Sequence, residues 1–498
     1  MKKNLKLFSF LLAVTIGSST LIACNSGNSS TSNDDDFTLS AMVKLHTPEV
    51  PDKRILDILE EKSGVNLDIE FVPATTYVEK VNTAFASGTF PHSIVLDLDL
   101  LTQYKQYIKD GQFWEIGPYL DEFENLSKMR EDILENTMVD GKVYMLYEGK
   151  PLSRQGIIYR QDWADNLGLE APTNIDEFYE MLRAFTEDDP DGNGLDDTFG
   201  LSDRNELTFG AFKTVASWFH TPNNFGIQDG QILPDFMFPE YMDTLDFFRD
   251  IHEKGYMNQD FPVTSKNDQR SLFTSGRAGV YVGSMGDVQS FHPNTVANDS
   301  NAVLDVHNQV EGPSGEFTTW SLPGYGNVIL FPKSSIENEE ELRKVLSFYD
   351  FLMTPEGANL VYWGIEGEHY EVIDDNKAEV IDSDLYNKEV FPIQTLEIAE
   401  EESSGRYEAH FTFEARAKAE ELYADNENYL IDDPTIGLES ETFLSQSAVL
   451  QRIIEDATYQ YIIGDIDKEG FQAAIENWLN RGGQDIIDEF TASYKENN

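Results

Sequence analysis

The chain has 498 residues, of which 40% are hydrophobic and 12% aromatic, so it is long enough to bury the cores of two or three domains. Its 36 lysine and arginine residues face 90 acidic residues, and the formal net charge of −54 excludes nucleic acid and anionic membrane surfaces as partners. The same charge disfavours a strongly anionic ligand and favours cations. A single cysteine excludes an intrachain disulfide and a zinc site built of several thiolates.

The N-terminus has the pattern of an export signal that ends at the cysteine. Three lysines in the first six residues precede an apolar run that ends near Ile16 and is too short to span a membrane comfortably. Small Ala23 then precedes Cys24, and the segment resembles the lipobox of bacterial lipoproteins. We therefore expect residues 1–23 to be a signal peptide and Cys24 to carry the lipid. An ordinary secretory signal with a stray cysteine is the alternative.

Residues 24–36 are rich in Ser, Asn, Gly and Asp and contain almost nothing to bury, which predicts a flexible tether. Beyond the tether, hydrophobic periodicity predicts strands and helices in alternation. Strands are expected at 37–43, 65–71 and 94–98, and helices at 53–62 and 77–87. This strand–helix–strand–helix–strand order predicts an α/β layer with parallel pairing. Further helices are expected at 175–187, 239–254, 338–353, 411–425 and 469–481.

Six segments follow one another along the chain in a characteristic order: FASGTFPHSI at 85–94, DGKVY at 140–144, YRQDW at 159–163, PTNIDEF at 172–178, FTSGRAGV at 273–280 and GIEGEHY at 364–370. Together they resemble the extracellular solute-binding proteins of ABC importers. The resemblance is to the LplA-like lipoproteins among the family 1, sugar-type binders, although His92 and Ser93 depart from the family pattern.

This resemblance implies an α/β, two-lobed fold like that of class II periplasmic binding proteins, with a hinge and a cleft between the lobes. The expected limits are 37–150 plus about 325–395 for lobe 1, and 151–324 plus about 396–498 for lobe 2. The implied protein is a monomer, held on the extracellular face of the membrane only by its lipid. It captures a solute, most often an oligosaccharide, and delivers it to the permease subunits of an ABC transporter. Peptides and other small solutes are alternative ligands.

Sugar recognition needs aromatic faces together with groups that donate and accept hydrogen bonds. Trp218, Trp320, Tyr325 and Trp363 lie in loop-flanking or Gly- and Pro-punctuated stretches, where a ring is able to face a cleft. Glu366 is the candidate acceptor for sugar hydroxyls. For each ring the alternative is core packing, and Glu366 equally suits a role in holding its own glycine-flanked loop.

The segment DPDGNGLDDT at 189–198 predicts a structural calcium site. Oxygen-bearing side chains fall at loop positions 1, 3, 5 and 9, with glycine at 6 and a backbone carbonyl at 7, and Ca²⁺ needs six to eight oxygens around one point. Position 12 is Gly200 instead of the usual glutamate. The alternative is an acidic surface turn. The candidate ligands are Asp189, Asp191, Asn193, Leu195 through its carbonyl, Asp197 and Thr198.

Motifs of enzymes are absent from the sequence: it has no GxSxG, HExxH, GxxxxGK[ST] or CxxC. Carboxylate pairs have no diagnostic value among 90 acids, so we do not expect an enzyme. A glycan-degrading lipoprotein, either a glycosidase or a lyase, is the rival reading, because two placed carboxylates suffice for glycoside hydrolysis. An adhesive or structural lipoprotein is the second rival.

Overall fold

The structure is a computed structural model that describes residues 37–374 and 376–497. In chain order its strands are β1 (Thr38–Leu45), β2 (Asn66–Pro73), β3 (Ser93–Leu96), β4 (Met145–Gly149), β5 (Gln155–Arg160), β6 (Phe199–Ser202), β7 (Phe225–Gln228), β8 (Gln231–Pro234), β9 (Ala278–Ser284), β10 (Leu304–His307), β11 (Thr319–Trp320), β12 (Tyr325–Leu330), β13 (Tyr370–Asp374), β14 (Lys377–Val380), β15 (Glu408–Ala409) and β16 (Leu430–Ile431).

The α-helices are α1 (Lys53–Ser63), α2 (Ala74–Ser87), α3 (Leu98–Lys109), α4 (Gly117–Leu120), α5 (Glu131–Asn136), α6 (Gln161–Leu167), α7 (Ile175–Glu187), α8 (Ala211–Trp218), α9 (Pro239–Glu253), α10 (Lys266–Thr274), α11 (Val288–Asn298), α12 (Glu339–Leu352), α13 (Pro355–Tyr362), α14 (Ser383–Glu389), α15 (Glu401–Ser404), α16 (Glu414–Asn426), α17 (Glu441–Ile462), α18 (Lys468–Trp478) and α19 (Gln484–Asn497).

The first sheet has the strand order β2-β1-β3-β12-β4. β1 pairs in parallel with β2 and β3, as the alternation of strands and helices predicts, and β12 joins antiparallel between β3 and β4. Gly88 ends α2 in the left-handed region at φ 68°, and its N–H donates to the carbonyl of Ala84, so the chain turns into β3 within a few residues. The predicted α/β unit is confirmed.

A second sheet has the order β10-β5-β9-β6, with β6 parallel to β9 and the other pairs antiparallel. Both faces are covered, since all six residues of β5 are buried. The core beside it is rich in aromatic rings, and Trp163, Phe178 and Trp218 are fully buried there. The two main sheets are thus each partly parallel and packed with helices.

The predicted helix 175–187 agrees residue for residue with α7, because Asn174 caps it by accepting a hydrogen bond from the backbone N–H of Glu177 at 2.9 Å. The other six predicted helices are present, with ends that move by up to about three residues. The pattern did not predict α17, the longest helix of the described residues, or α19.

The chain passes from the first main sheet to the second between Gly149 and Gln155, and β12 returns it to the first sheet at Tyr325. β14 pairs with β15 beyond residue 396, so the expected limit near 395 falls inside a small sheet. The lobe limits therefore stay a prediction. Thr38–Asn498 form one compact unit.

The predicted signal peptide 1–23, the lipid-bearing Cys24 and the tether 24–36 lie outside the described residues. Among the helices that the structure does describe, none has both the length and the apolar character needed to cross a bilayer.

We expect Gly312→Ala to destabilise the protein by at least about 2 kcal/mol. A Cβ at this position would lie 1.7 Å from the backbone carbonyl oxygen of buried Trp218, which cannot rotate away. Gly117→Ala is the control, since its Cβ would meet only the side chain of Val143, at 3.3 Å. Urea unfolding measures both, and equal stability of the two variants would contradict the expected clash.

Candidate functional site

Two adjoining cavities, with volumes of about 340 Å³ and 430 Å³, are the candidate ligand site. Their size is that of small-molecule sites in proteins. The larger one is lined by α3, by residues 136–139, by β11 and the turn after it, and by residues 433–444. The two cavities share the lining residues Thr208, Lys213, Asn223, Asn224, Trp320, Asp433 and Phe443.

A short parallel pair of strands builds the wall between the cavities. β11 pairs with β16 so that Trp320 lies beside Ile431, two residues before Asp433. The buried amide of Asn223 ties the pair together, because its Nδ2 donates to the carbonyls of Ser321 at 2.9 Å and of Ile431 at 3.1 Å. The wall is therefore fixed by the backbone pairing of β11 with β16 and by the side-chain amide of Asn223 from a third segment.

Two partly exposed phenylalanine rings line the larger cavity. Phe209 is 47% exposed and Phe443 is 36% exposed, and both line it. Sugar-binding sites use such rings against the apolar faces of pyranoses. The sequence reasoning missed both because it considered only Trp and Tyr as plates. Both residues lie within two positions of the start of a helix, α8 or α17, and that position was the available sequence signal.

Of the predicted cleft residues, the structure brings Trp320 and Tyr325 to the cavities. Trp320 is only 2% exposed, so it forms part of the cavity wall and does not offer an open ring face for stacking. Its indole N–H donates to Thr214 Oγ1 at 3.1 Å. The Tyr325 hydroxyl donates to the carbonyl of Asn136 at 3.4 Å, and burial raises the pKa of Tyr325 to about 12, so the ring stays neutral.

Trp218, Trp363 and Glu366 do not line either cavity, which corrects their placement in the cleft. Trp218 is fully buried and packs edge-on against Phe178, with ring centroids 5.2 Å apart. Trp363 is buried in a small separate core, where its indole N–H donates to the carbonyl of Tyr407 at 2.9 Å. Glu366 is exposed on a loop. Both tryptophan side chains therefore pack in the interior and do not contact either cavity.

Lys213 is the cation that lies between the two cavities. Its ammonium lies 4.6 Å from the centroid of the Trp320 ring and donates to Asn224 Oδ1 at 2.6 Å. Asn224 Nδ2 in turn donates to Asp433 Oδ2 at 2.7 Å, and Asp433 Oδ1 also accepts from the hydroxyl of Thr435 at 2.6 Å. Burial lowers the pKa of Lys213, although the charges of Asp235 and Asp433 oppose the shift.

Asp235 lines the smaller cavity and is the second charged group beside Lys213. Its Oδ1 accepts a hydrogen bond from the backbone N–H of Phe236 at 2.8 Å. Burial raises the pKa of Asp235 to about 7, with Lys213 pulling in the opposite direction. The carboxyl group is therefore protonated in a large fraction of molecules near neutral pH, and a neutral carboxyl group is able both to donate and to accept hydrogen bonds.

The acidic loop between α7 and β6 lies apart from the residues that line the cavities. Asn193 Nδ2 donates to Asp191 Oδ2 at 2.8 Å and to Asp197 Oδ1 at 3.3 Å, and Asp189 Oδ2 accepts from the N–H of Gly194 at 3.0 Å. Burial raises the pKa of Asp191, and neighbouring Asp189 and Asp197 add to the shift. Hydrogen bonds through Asn193 therefore link Asp191 and Asp197 within the loop.

Two observations limit the calcium prediction. In the part of the chain that the structure describes, no three His, Cys, Asp or Glu side chains are arranged as a group that binds a metal. Thr198, one of the candidate ligands, is buried, and its hydroxyl donates to the carbonyl of Phe185 at 2.9 Å. Its side chain therefore anchors the loop to α7 and is corrected from ligand to anchor. The remaining donors are oxygens, which suits Ca²⁺ chemically.

Comparison with known proteins identifies the family to which the chain belongs. Residues 49–359 match the family model described as bacterial extracellular solute-binding protein. The chain is also 38% identical over 465 residues to the Bacillus subtilis polygalacturonan/rhamnogalacturonan-binding protein YtcQ, covering 93% of this chain and 92% of the relative. The chain belongs to the bacterial extracellular solute-binding protein family. It is 33% identical to lipoprotein LipO of the same organism, over 97% of this chain and 98% of that one.

Solved structures show the fold of this solute-binding protein. A binding protein for HMO associated with an ABC transporter of Bifidobacterium longum infantis has a TM-score of 0.69 at 16% identity, covering 93% of this chain and 99% of that one. The FusA EF-hand mutant of S. pneumoniae in complex with fructo-nystose has a TM-score of 0.61 at 19% identity, with coverages of 92% and 99%. The expected two-lobed periplasmic-binding-protein fold and family are confirmed.

Membership also decides between the classes of function. The protein is a bacterial extracellular solute-binding protein, so its role is to bind a solute. It is not an enzyme, as the missing motifs predict, and the rival readings of a glycan-degrading or an adhesive lipoprotein fall away.

We expect Asp235→Asn to weaken the dependence of stability on pH. The pKa of Asp235 is raised by folding, so its contribution is fully present at low pH and is lost as pH rises through about 7. Between pH 5 and pH 8 the wild-type protein should lose about 1–2 kcal/mol more of its unfolding free energy than the variant. Urea unfolding at both pH values measures this, and parallel losses would show that Asp235 is not buried as an acid.

Proposed function

We propose that this solute-binding protein captures an oligosaccharide in the paired cavities beside Trp320. The observation that supports it best is the pair of exposed rings, Phe209 and Phe443, in a cavity of about 430 Å³ that also offers amide and carboxylate groups. Apolar faces and polar edges in one site are what sugars require. Asn224 and Asp433 supply the polar edge.

The ligand class gains support from the names of relatives. YtcQ is named for polygalacturonan, a polymer of galacturonic acid, and for rhamnogalacturonan, whereas a FusA structure holds fructo-nystose. Acidic and neutral oligosaccharides therefore both occur as ligands within the family. The ligands in these names are all carbohydrates, which favours an oligosaccharide over a peptide as the ligand of this protein.

Closure of two lobes over the ligand is proposed with limits of 37–150 plus about 325–395, and 151–324 plus about 396–498. Ion pairs already join segments assigned to opposite lobes. Lys105 Nζ lies 3.5 Å from Glu439 Oε1, and Arg130 donates to Glu427 at 2.9 Å. Such pairs favour a closed form, which ligand would stabilise by contacting both sides. The protein would act as a monomer.

Lipid attachment at Cys24 is proposed as the anchor. The signal-like residues 1–23, the position of the single cysteine and the similarity to lipoprotein LipO support it. The tether 24–36 would then allow the binding unit to reach the permease while it stays on the extracellular face of the membrane.

A structural Ca²⁺ ion is proposed in the acidic loop. Asp189, Asp191, Asn193 and Asp197 would hold it through side-chain oxygens, and Leu195 through its carbonyl. Asn193 would have to turn its amide, since its Nδ2 atom now faces Asp191 and Asp197. The ion would neutralise carboxylates that raise one another's pKa, and would stabilise the connection between α7 and β6.

Thermal unfolding in the presence of oligosaccharides from polygalacturonan, neutral oligosaccharides and peptides tests the proposed function. Only a ligand of the native state raises the midpoint, and we expect a saturable shift with an oligosaccharide that is recovered intact.

Phe443→Ala should weaken the binding of this oligosaccharide about fivefold, because stacking contributes about 1 kcal/mol. Phe391→Ala is the control, with a ring that is 45% exposed and lines neither cavity. A shift with peptides alone would reject the proposal.

Calcium binding is tested separately by thermal unfolding with excess Ca²⁺ or a chelator. A hundredfold excess over the dissociation constant stabilises a native-state site by about 2.7 kcal/mol, so the midpoint should rise with Ca²⁺ and fall back with chelator. The double change Asp191→Asn and Asp197→Asn should abolish the response. Asp188→Asn is the control, because Asp188 pairs with Arg183 at 2.8 Å instead of facing the loop centre. An unchanged response in the double variant would place the ion elsewhere.

A further inference from the structure

The geometry points to Lys213 as the residue that recognises a carboxylate on the bound sugar, and hence to an oligosaccharide that contains uronic acid units. This inference rests on the proposed function and deepens it. It identifies one residue that separates acidic from neutral ligands in the shared part of the two cavities.

Lys213 lies at the place that the two cavities share. It lines both cavities, partly buried, so its ammonium lies where a ligand that fills them must pass. Two neighbours hold the ammonium in place: the centroid of the Trp320 ring lies 4.6 Å from Nζ, and Asn224 Oδ1 accepts a hydrogen bond at 2.6 Å. An ammonium has three N–H donors, so two are left for a ligand.

The charge of Lys213 also favours an anionic ligand. Among the described residues, Lys213 forms no ion pair, whereas Lys105, the other cation of the larger cavity, pairs with Glu439 at 3.5 Å. A partly desolvated ammonium without a direct counter-ion is costly, and an anionic ligand oxygen removes that cost. A sugar hydroxyl satisfies the donors but leaves the charge uncompensated, so a carboxylate fits this position better.

The nearby acids do not already occupy this role. Asp433 uses its oxygens on Asn224 and Thr435, and Asn224 stands between it and Lys213. Asp235, which lines the smaller cavity together with Lys213, has a pKa raised by burial to about 7 and is protonated below that pH. The charge of Lys213 is therefore left available for the ligand under neutral to slightly acidic conditions.

The aromatic walls complete the recognition of a sugar acid. Phe443 lines both cavities together with Lys213, and its exposed ring provides the apolar surface for the pyranose that carries the carboxylate. The ring would bind the face of the sugar while the ammonium binds its charged edge.

Calorimetric titration of the chain bearing Cys24→Ser, which blocks lipid attachment, tests the inference at slightly acidic pH. The probes are trigalacturonate, its fully methyl-esterified form and a neutral trisaccharide. Wild-type protein should bind the acid at least about tenfold more tightly than the ester. Lys213→Met should remove that preference by weakening only the acid. Lys105→Met, which removes a cation that is already paired, should preserve it.

Each other outcome has a defined meaning. Equal binding of acid and ester by the wild type, or an equal loss of both in Lys213→Met, overturns the role of Lys213 and leaves oligosaccharide capture intact. Binding of the neutral trisaccharide alone has the same consequence. No binding of any oligosaccharide would overturn the proposed function as well. Because the acid–ester comparison uses the wild type, it does not depend on whether the variant folds.

Discussion

The candidate site depends on buried amide side chains that hold distant segments of the chain together. Asn426 Nδ2 donates to the carbonyl of Gln155 at 2.9 Å, at the start of the second main sheet. Asn223 does the same between Ser321 and Ile431. A buried carbonyl that loses its donor costs about 1–3 kcal/mol, so these contacts fix the frame on which the cavity walls are built. Asn224, next to Asn223 in sequence, lines both cavities as a result.

Sequence patterns predicted the parts of this protein that follow local rules. Periodicity located α7 because apolar spacing and the Asn174 cap agree. It did not reveal α17, whose first half leaves Phe443 exposed at the cavity and so lacks a continuous apolar stripe. The cleft prediction failed for Trp218 for a related reason: residue type indicates that a ring will be buried somewhere, but not whether the neighbouring surface is a core or a cavity. That depends on contacts between distant segments.

Hydrogen bonds within the acidic loop fix its shape without the help of a bound ion. Backbone N–H groups of Asn193 and Gly194 donate to Asp191 and Asp189, which turns the carboxylates toward one another although their charges repel. The loop stays in place because Thr198 holds its end to α7. The calcium site stays a prediction, and the proposed Ca²⁺ would relieve the repulsion that raises the pKa of Asp191.

The overall charge of −54 and the proposed contact with an anion are compatible because they act over different distances. Exposed charges farther away than about 8 Å are largely screened at physiological ionic strength, so the acidic surface mainly slows the approach of an anionic ligand. The contact itself is decided within the cavity, where Lys213 lies against Trp320 and water is partly excluded. Composition thus constrains how fast an acidic sugar arrives, whereas one positioned ammonium decides whether it is retained.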